Sequence, residues 1–477
     1  MRIAFLDTAN HDYTIASVYQ QPLGGTSSAV CYLAEAMAKW GQEVFLLNKT
    51  TTPGRSCGVI VLPFAAVPSQ WYESLDALVV VNLAGQGRQL RQRLPEKTRL
   101  ILWTGHAHDQ PAMQGLHDPD DRSTYDSFVL VSEWQRQQFH QHFNLDLSRT
   151  RVLRNAISPA FCDRFPNPAS ILSCKTKPPV LAYTSTPFRG LDLLLKVFPK
   201  IREAVPEVSL KVFSSMKVYN LPDTEYEGLY HRCQMMEGVQ YIGSLSQPEL
   251  AQELETVRVL AYPNTFAETS CIAVMEAMAS GCQIVTSDRG ALAETTAGFA
   301  RLISCNPNLE AYKAQFVDAT VDLLTADSAP TEARLRQQVN YVNTHCIWSV
   351  RAQEWLDWLS KIGSQIARHP TATTAHDALL AGEYDRATAG YEAAIDQDPT
   401  ELRHFWYLGL ALLLQTQSEA AQEIWMLTLL NNPEERSLTQ LCQVLQAEQQ
   451  RQQVLGQIFL ANQIQDCLKQ LQEEADS

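Results

Sequence analysis

The sequence predicts an α/β chain with two successive doubly wound domains, followed by an all-α region. Short apolar runs rich in β-branched residues alternate with amphipathic stretches up to about residue 340 of the 477. Near-continuous hydrophobic strands separated by helices are typical of a parallel sheet covered on both faces. A stretch rich in Pro, Ser and Lys at 158–178 interrupts the alternation, which restarts at Pro179 and so indicates a linker between two domains.

Six strands are predicted in each domain. The first strand leads, after a long loop, into a helix at 26–40, where apolar residues recur at helical spacing until Gly41. A Trp-rich segment at 346–367 predicts a crossing helix that packs Trp348, Trp355 and Leu359 onto the preceding domains. The predicted strands are 2–7, 43–48, 58–64, 77–82, 99–105 and 127–133, then 179–185, 209–215, 239–244, 258–264, 282–288 and 299–304.

The last part of the chain contains a 34-residue periodicity. Leu408 and Gly409 occupy the Leu-Gly positions of a tetratricopeptide (TPR) repeat, which the segment resembles, whereas Thr374 and Ala375 depart from that pattern. The periodic pairs are Ala387 and Ala421, Tyr391 and Trp425, and Pro399 and Pro433. The predicted domains are 1–157, a linker at 158–178, 179–345, a crossing helix at 346–367, two TPR-like repeats at 368–435 and a Gln-rich helical tail at 436–477.

Composition excludes several classes of protein. A hydrophobic fraction of 45% is too high for a disordered chain, and a net charge of −14 argues against a nucleic-acid binder. The start MRIAFLDTANHDY is unlike a signal peptide, and no apolar run reaches the ~18 residues of a membrane span. Eleven scattered cysteines, an odd number, indicate reduced thiols. We therefore expect a cytoplasmic protein without a transmembrane segment.

A candidate anion-binding element precedes the first helix. No G-x-G-x-x-G follows the first strand, which removes the main argument for a dinucleotide-dependent enzyme. Gly24, Gly25 and Thr26 nevertheless open the helix, where small residues and unpaired amide groups favour a bound anion. A Gly-Gly loop that merely turns the chain is the alternative.

The most informative block is 266–295, in the second domain. Glu268 lies just before a predicted helix and Glu276 about two turns inside it, so both carboxylates can flank one ligand. Between them, the amides at the helix start are hydrogen-bond donors for the same ligand. These amides belong to Ser270, Cys271 and Ile272.

This block resembles the retaining glycosyltransferases of family 4 (glycosyl transferases group 1), which have the GT-B fold of two Rossmann-like domains facing across a cleft. The resemblance extends over about 1–360. It implies that Glu268 and Thr269 contact the donor sugar and that Glu276 binds the ribose of the nucleotide. Ser270-Cys271 replaces the Phe-Gly of the family. The matching residues are Tyr262-Pro263, Glu268-Thr269, Glu276-Ala277-Met278-Ala279, Gly281, Ile284-Val285, Gly290 and Glu294.

Two further elements match the same family. Arg189 stands where the family has a lysine that neutralises the leaving diphosphate, whereas Thr184 or Ser185 replaces the family's arginine. His106 follows the fifth strand, where family members place a histidine near the anomeric centre of the donor, and His108 is the second choice. A hydrogen-bonded structural histidine and an arginine that caps a helix are the simpler alternatives.

The resemblance implies transfer of a sugar, with retained configuration, from a nucleotide-diphosphate sugar that we expect to be a UDP-sugar. It implies no cofactor and no metal, and it leaves the acceptor unknown (a glycan, a lipid or a protein). His106, Arg189 and Glu268 are the expected catalytic residues. A catalytically impaired scaffold and a nucleotide-sugar epimerase are the alternatives, and nothing in the sequence defines a glycosidase carboxylate pair.

Two features bear on partners. Residues 88–99 contain four Arg and one Lys against one Glu, which is compatible with peripheral membrane contact but is more often a solvated face. The TPR-like region predicts a protein partner or a homodimer, and no nucleic acid is expected.

Overall fold

The computed structural model of the chain describes residues 1–165, 170–305, 308–326, 328–365, 372–433, 435–454 and 457–475. Parts of the predicted linker (166–169), second domain (306–307 and 327), crossing helix (366–367), repeats (368–371 and 434) and tail (455–456 and 476–477) lie outside the described residues. The chain divides into two compact units, Met1–Leu359 and Ser360–Ser477.

The first sheet has eight strands in the order β3-β4-β2-β1-β5-β6-β7-β8. All neighbours are parallel except β3 and β4, and β1 lies between β2 and β5, with Ile3 opposite Val44 on one side and Ala77 on the other. The strands are β1 (Arg2–Leu6), β2 (Glu43–Asn48), β3 (Gly54–Ser56), β4 (Val59–Pro63), β5 (Ala77–Val81), β6 (Arg99–Thr104), β7 (Ser127–Leu130) and β8 (Thr150–Val152).

The second sheet has six parallel strands in the order β11-β10-β9-β12-β13-β14. Strands β9, β12 and β13 are buried along their whole length, as expected of a sheet covered on both faces. The strands are β9 (Val180–Thr184), β10 (Ser209–Phe213), β11 (Val239–Tyr241), β12 (Val259–Tyr262), β13 (Gln283–Ser287) and β14 (Arg301–Ile303).

Thirteen of the helices described begin in the unit that contains both sheets. They are α1 (Ser17–Gln20), α2 (Gly25–Lys39), α3 (Gly87–Arg91), α4 (Pro119–Ser123), α5 (Glu133–Phe143), α6 (Leu191–Ala204), α7 (Glu227–Met235), α8 (Gln247–Glu255), α9 (Ile272–Ala279), α10 (Leu292–Thr296), α11 (Leu309–Thr325), α12 (Ala329–His345) and α13 (Trp348–Gln365).

Helix α13 returns the chain from the second sheet to the core of the first. Trp348, Trp355 and Leu359 are all buried in the same cluster as β1 and α2, which confirms the predicted packing of this face. Trp355 contacts Phe5 and Trp103 edge-on, with ring centroids 6.5 and 5.4 Å apart. These contacts attach the crossing helix to the centre of the first sheet.

The described residues of the second unit form helices joined by short turns. Ala387 and Ala421 are completely buried on α15 and α17, and Tyr391 and Trp425 are buried one turn further on. Residues 34 positions apart in these pairs are thus both buried. The assignment to the TPR class stays a prediction. The helices are α14 (Ala372–Ala381), α15 (Tyr384–Gln397), α16 (Leu402–Leu414), α17 (Ser418–Asn431), α18 (Glu435–Val454) and α19 (Ile458–Ala475).

The sequence analysis missed the edge strands β3 and β8. Each has three residues and contains an arginine, Arg55 or Arg151, so neither has the apolar pattern of a buried strand. Edge strands need few buried side chains, because one side pairs with no neighbour. No described helix is long and apolar enough to cross a membrane.

Candidate functional site

A cleft of about 450 Å³ lies between the carboxyl ends of the two sheets. Strand order reverses between β1 and β5 in the first sheet and between β9 and β12 in the second. Ligands of open α/β sheets bind at such reversals, because the loops that follow the two central strands diverge there and leave a crevice. The predicted residues that line the cleft are Gly24, Gly25, Thr26, His106, Arg189, Glu268, Thr269, Ser270, Cys271, Ile272 and Glu276.

On the side of the cleft formed by the second sheet, the central feature is an ion pair. The Arg189 Nη1 atom lies 3.0 Å from Glu268 Oε1, and Tyr262 donates a hydrogen bond of 2.6 Å to the same oxygen. Glu268 is 3% exposed, so a carboxylate is held here with little water around it. The guanidinium also lies over the Phe266 ring, 4.7 Å from its centroid, and donates to the Tyr219 hydroxyl at 3.3 Å.

Gly190 allows this pair to form. Its φ of +121° is in the region that favours glycine, and an added Cβ would lie 2.3 Å from the carbonyl oxygen of Pro263. The turn after β9 can therefore pack directly against the end of β12. This close approach brings Arg189 to Glu268, which lies 79 residues further along the chain.

The Gly-Gly loop of the first sheet faces the same cleft. Gly24 caps α2, and an added Cβ there would lie 2.8 Å from the Tyr219 ring of the opposite domain. The Thr26 hydroxyl accepts a hydrogen bond of 2.9 Å from Asn82, which follows β5. The first amides of α2 have no carbonyl partner within the helix and so are donors for an anion.

His106 lies in the cleft, whereas His108 is not among the residues that line it. The Nδ1 atom of His106 is buried and has no hydrogen-bond partner among the described residues. Burial lowers the pKa of His106, although the Asp7 carboxylate opposes this effect, so the neutral imidazole is favoured. His108 instead stacks on His142, with ring centroids 3.7 Å apart.

Glu276 is buried beside the segment that joins the two domains. Its Oε1 atom accepts a hydrogen bond of 3.3 Å from the Ser158 amide, and the Ser158 hydroxyl lies 2.8 Å from the Tyr32 hydroxyl. Burial raises the pKa of Glu276 to about 8, so the neutral acid is favoured at neutral pH without a ligand.

Several cleft residues were missed by the sequence analysis. The hydroxyls of Thr186 and Ser214 and the Gln247 Oε1 atom are buried and have no partner within the described part of the chain. Ser214 and Ser244 lie at the carboxyl ends of the predicted strands 209–215 and 239–244, so polar residues at strand ends were the available signal. The residues described include no group of three or more His, Cys, Asp or Glu side chains that could hold a metal ion.

Comparison with known proteins agrees with this geometry. Residues 178–326 match the model of the family described as glycosyl transferases group 1. The phosphatidyl-myo-inositol mannosyltransferase of Mycobacterium leprae is 23% identical over 289 residues, which cover 56% of this chain and 75% of that protein.

Solved structures are similar over about three quarters of the chain. WaaG, a glycosyltransferase involved in lipopolysaccharide biosynthesis, gives a TM-score of 0.53 at 14% identity, over 75% of this chain and 99% of its own. Sucrose-phosphate synthase from Thermosynechococcus elongatus gives 0.57 at 16% identity, over 76% and 99%. The predicted GT-B fold is thereby confirmed.

The raised pKa of Glu276 predicts a pH-dependent stability. As pH rises above the ordinary carboxyl pKa, the unfolded chain loses its proton first, so stability falls until the folded protein also releases its proton near pH 8. The Glu276→Gln variant mimics the neutral acid and should not show this loss. Because a tenfold change in proton affinity corresponds to about 1.4 kcal/mol, the difference should reach a few kcal/mol.

The measurement is thermal unfolding between about pH 5 and pH 9. The wild-type midpoint should fall relative to that of Glu276→Gln as pH rises. Glu203→Gln, the same change at an exposed position of α6, should follow the wild type. Parallel curves for the wild type and Glu276→Gln would rule out a buried neutral carboxyl.

Proposed function

We propose that the protein is a retaining, metal-independent glycosyltransferase whose donor is a nucleotide-diphosphate sugar, with a UDP-sugar as the first choice. The observation that carries the proposal is the buried Arg189–Glu268 pair at the strand reversal of the second sheet, opposite Gly24 and Gly25 at the start of α2. A cation and a carboxylate on one side of the cleft, with the amides of a helix start on the other, suit a diphosphate joined to a polyhydroxylated ring.

The proposed reaction breaks the bond between the anomeric carbon and the diphosphate oxygen. The acceptor oxygen forms the new bond on the same face of the sugar, and its proton passes to the departing phosphate oxygen. Arg189 and the amides of Gly24, Gly25 and Thr26 would stabilise the negative charge that grows on the diphosphate. No protein side chain needs to act as the base in this scheme.

The carboxylates would then bind and orient the donor. Because Glu268 Oε1 already accepts from Arg189 and Tyr262, we assign the contact with sugar hydroxyls to its Oε2 atom. Glu276 would bind the ribose, and His106 would lie near the anomeric centre with its unpartnered Nδ1 as the polar contact. Ser214 and Gln247 would lie near the nucleotide base.

The acceptor remains a choice among glycan, lipid and protein. The name of the Mycobacterium leprae relative includes a phosphoinositide, which makes a lipid acceptor one option to test. Two arginines of the basic stretch are ion-paired, Arg88 with Asp118 and Arg91 with Asp126, which leaves fewer cations for an anionic membrane. The TPR-like helices remain our proposal for a protein partner or a homodimer.

A thermal-shift panel tests the proposed donor. It compares UDP, GDP, ADP, NAD and the common sugar conjugates of the first three, all in EDTA. A ligand at ~100 times its dissociation constant stabilises the folded state by ~2.7 kcal/mol. We expect one nucleotide diphosphate and its sugar conjugate to raise the melting temperature by several degrees, and NAD to have no effect.

The opposite outcomes are equally informative. If the panel is repeated with a divalent metal in place of EDTA, a shift that appears only then would contradict metal-independent binding. No shift with any nucleotide would contradict the donor proposal and favour a scaffold. Conversion of the nucleotide sugar without an acceptor would indicate an epimerase.

A further inference from the structure

Glu294, on α10 of the second domain, reaches across to the first domain. Its carboxylate accepts hydrogen bonds from the backbone amides of Glu133 and Trp134, at 3.0 and 3.4 Å. The same carboxylate pairs with Arg154, whose Nε and Nη2 atoms lie 3.0 and 2.6 Å from Glu294 Oε1. One side chain thus contacts three residues of the opposite domain, Glu133, Trp134 and Arg154.

These contacts complete the N-terminal cap of α5. The Ser132 hydroxyl accepts from the amide of Gln135, the third residue of the helix, at 3.1 Å. Glu294 accepts from the first two residues, Glu133 and Trp134, which the helix's own cap leaves unpaired. A carboxylate at this end of α5 is also favoured by the helix dipole. The cap of α5 therefore includes a side chain from the opposite domain.

The same helix start holds the loop that carries His106. The Gln135 side chain is completely buried, and its Nε2 atom donates to the carbonyl oxygens of Thr104 and His106, at 3.0 and 2.7 Å. Its Oε1 atom accepts from the Val131 amide at 2.7 Å. Every polar atom of this amide is thus used to tie the end of β6, the His106 loop and the end of β7 together.

A second contact from the opposite domain reaches the same loop. The Thr269 hydroxyl, beside Glu268, donates a hydrogen bond of 2.6 Å to the carbonyl oxygen of Gly105. His106 is therefore held on one side by its own domain through Gln135 and on the other by the domain that carries the Arg189–Glu268 pair.

We propose that Glu294 and Gln135 are positioning residues, which couple closure of the two domains to the placement of His106 in the cleft. The role of His106 in sugar transfer rests on the proposed function, but the coupling itself does not. When the domains separate, α5 loses the cap that Glu294 completes, and the His106 loop loses Thr269. Gln135 links the start of α5 to the His106 loop through its two hydrogen bonds, so a change in the position of the helix start moves the loop.

The test follows the ring of His106 in the full-length protein by NMR, with isotope-labelled histidine and no substrate. The His106→Gln variant identifies the signal. In the wild type, burial holds the pKa of His106 below its ordinary value, with Asp7 as the nearby charge. Glu294→Ala should remove the contacts that hold the start of α5 against the opposite domain. The titration midpoint of His106 should then move upward, toward that of a solvent-exposed histidine. Gln135→Leu should also shift it, by releasing the loop directly.

Glu133→Ala is the matched control. Its side chain pairs only with Arg136 among the contacts seen, one turn along α5, while its backbone amide still donates to Glu294. It should leave the His106 titration unchanged. In the double variant Glu294→Ala/Gln135→Leu, the two shifts should be less than additive, because both act through the same loop.

Three outcomes would overturn the proposal. One is a His106 midpoint that stays at the wild-type value in folded Glu294→Ala, and a second is an equal shift in Glu133→Ala. The third is a pair of fully additive shifts in the double variant. If Gln135→Leu does not fold because it removes a buried amide, the result for Glu294→Ala decides the question. Because no nucleotide sugar is present, the result is independent of whether the donor proposal holds.

Discussion

The buried ion pair between Arg189 and Glu268 is the interaction on which the cleft depends. It joins the turn after β9 to the loop after β12, and these two strands are neighbours at the point where strand order reverses. Removal of one partner of such a pair leaves an uncompensated charge and typically costs about 3–5 kcal/mol. Tyr262 and Phe266 support the pair with a hydrogen bond and a ring face, so both charges are kept in a fixed place. A fixed cation beside a fixed carboxylate is a preorganised receptor for a ligand with phosphate and hydroxyl groups.

The first domain contributes backbone amide groups to the cleft rather than charged side chains. Gly24 and Gly25 bring the start of α2 close to Tyr219 and Ile272 of the opposite domain, so the amides of the helix face the same space as Arg189. Glu276 accepts from the Ser158 amide in the connecting segment. Contacts between the domains therefore occur at the proposed ligand site itself, so a ligand bound there would touch both domains.

Much of the fold could be predicted from sequence, because buried parallel strands have a strong local signal. That Arg189, Glu268 and His106 meet in one cleft could also be predicted, since each follows a predicted strand and the carboxyl ends of parallel strands share one edge. The edge strands β3 and β8 were missed because three residues with an arginine have no apolar pattern.

The partners of these residues could not be read from the sequence. Arg189 pairs with Glu268 only because Gly190 lets two loops meet, and Glu294 contacts residues 140 to 161 positions away in the opposite domain. Such pairs depend on tertiary packing, for which neither periodicity nor spacing is a guide. Gln135 lies within an ordinary polar helix in the sequence, and its role becomes visible only from its hydrogen bonds.

The most direct test of the central claim is the affinity for UDP, or for GDP if the thermal shifts select it, measured by calorimetry in the wild type and in Arg189→Gln. Glutamine removes the positive charge beside Glu268 that the account assigns to the diphosphate. Because a hydrogen bond to a charged group contributes about 1.5–3 kcal/mol, we expect the affinity to fall by about tenfold or more. Arg202→Gln, near the C-terminal end of α6 and paired with the exposed Glu237, should bind like the wild type. Equal affinities in the wild type and in folded Arg189→Gln would contradict the account.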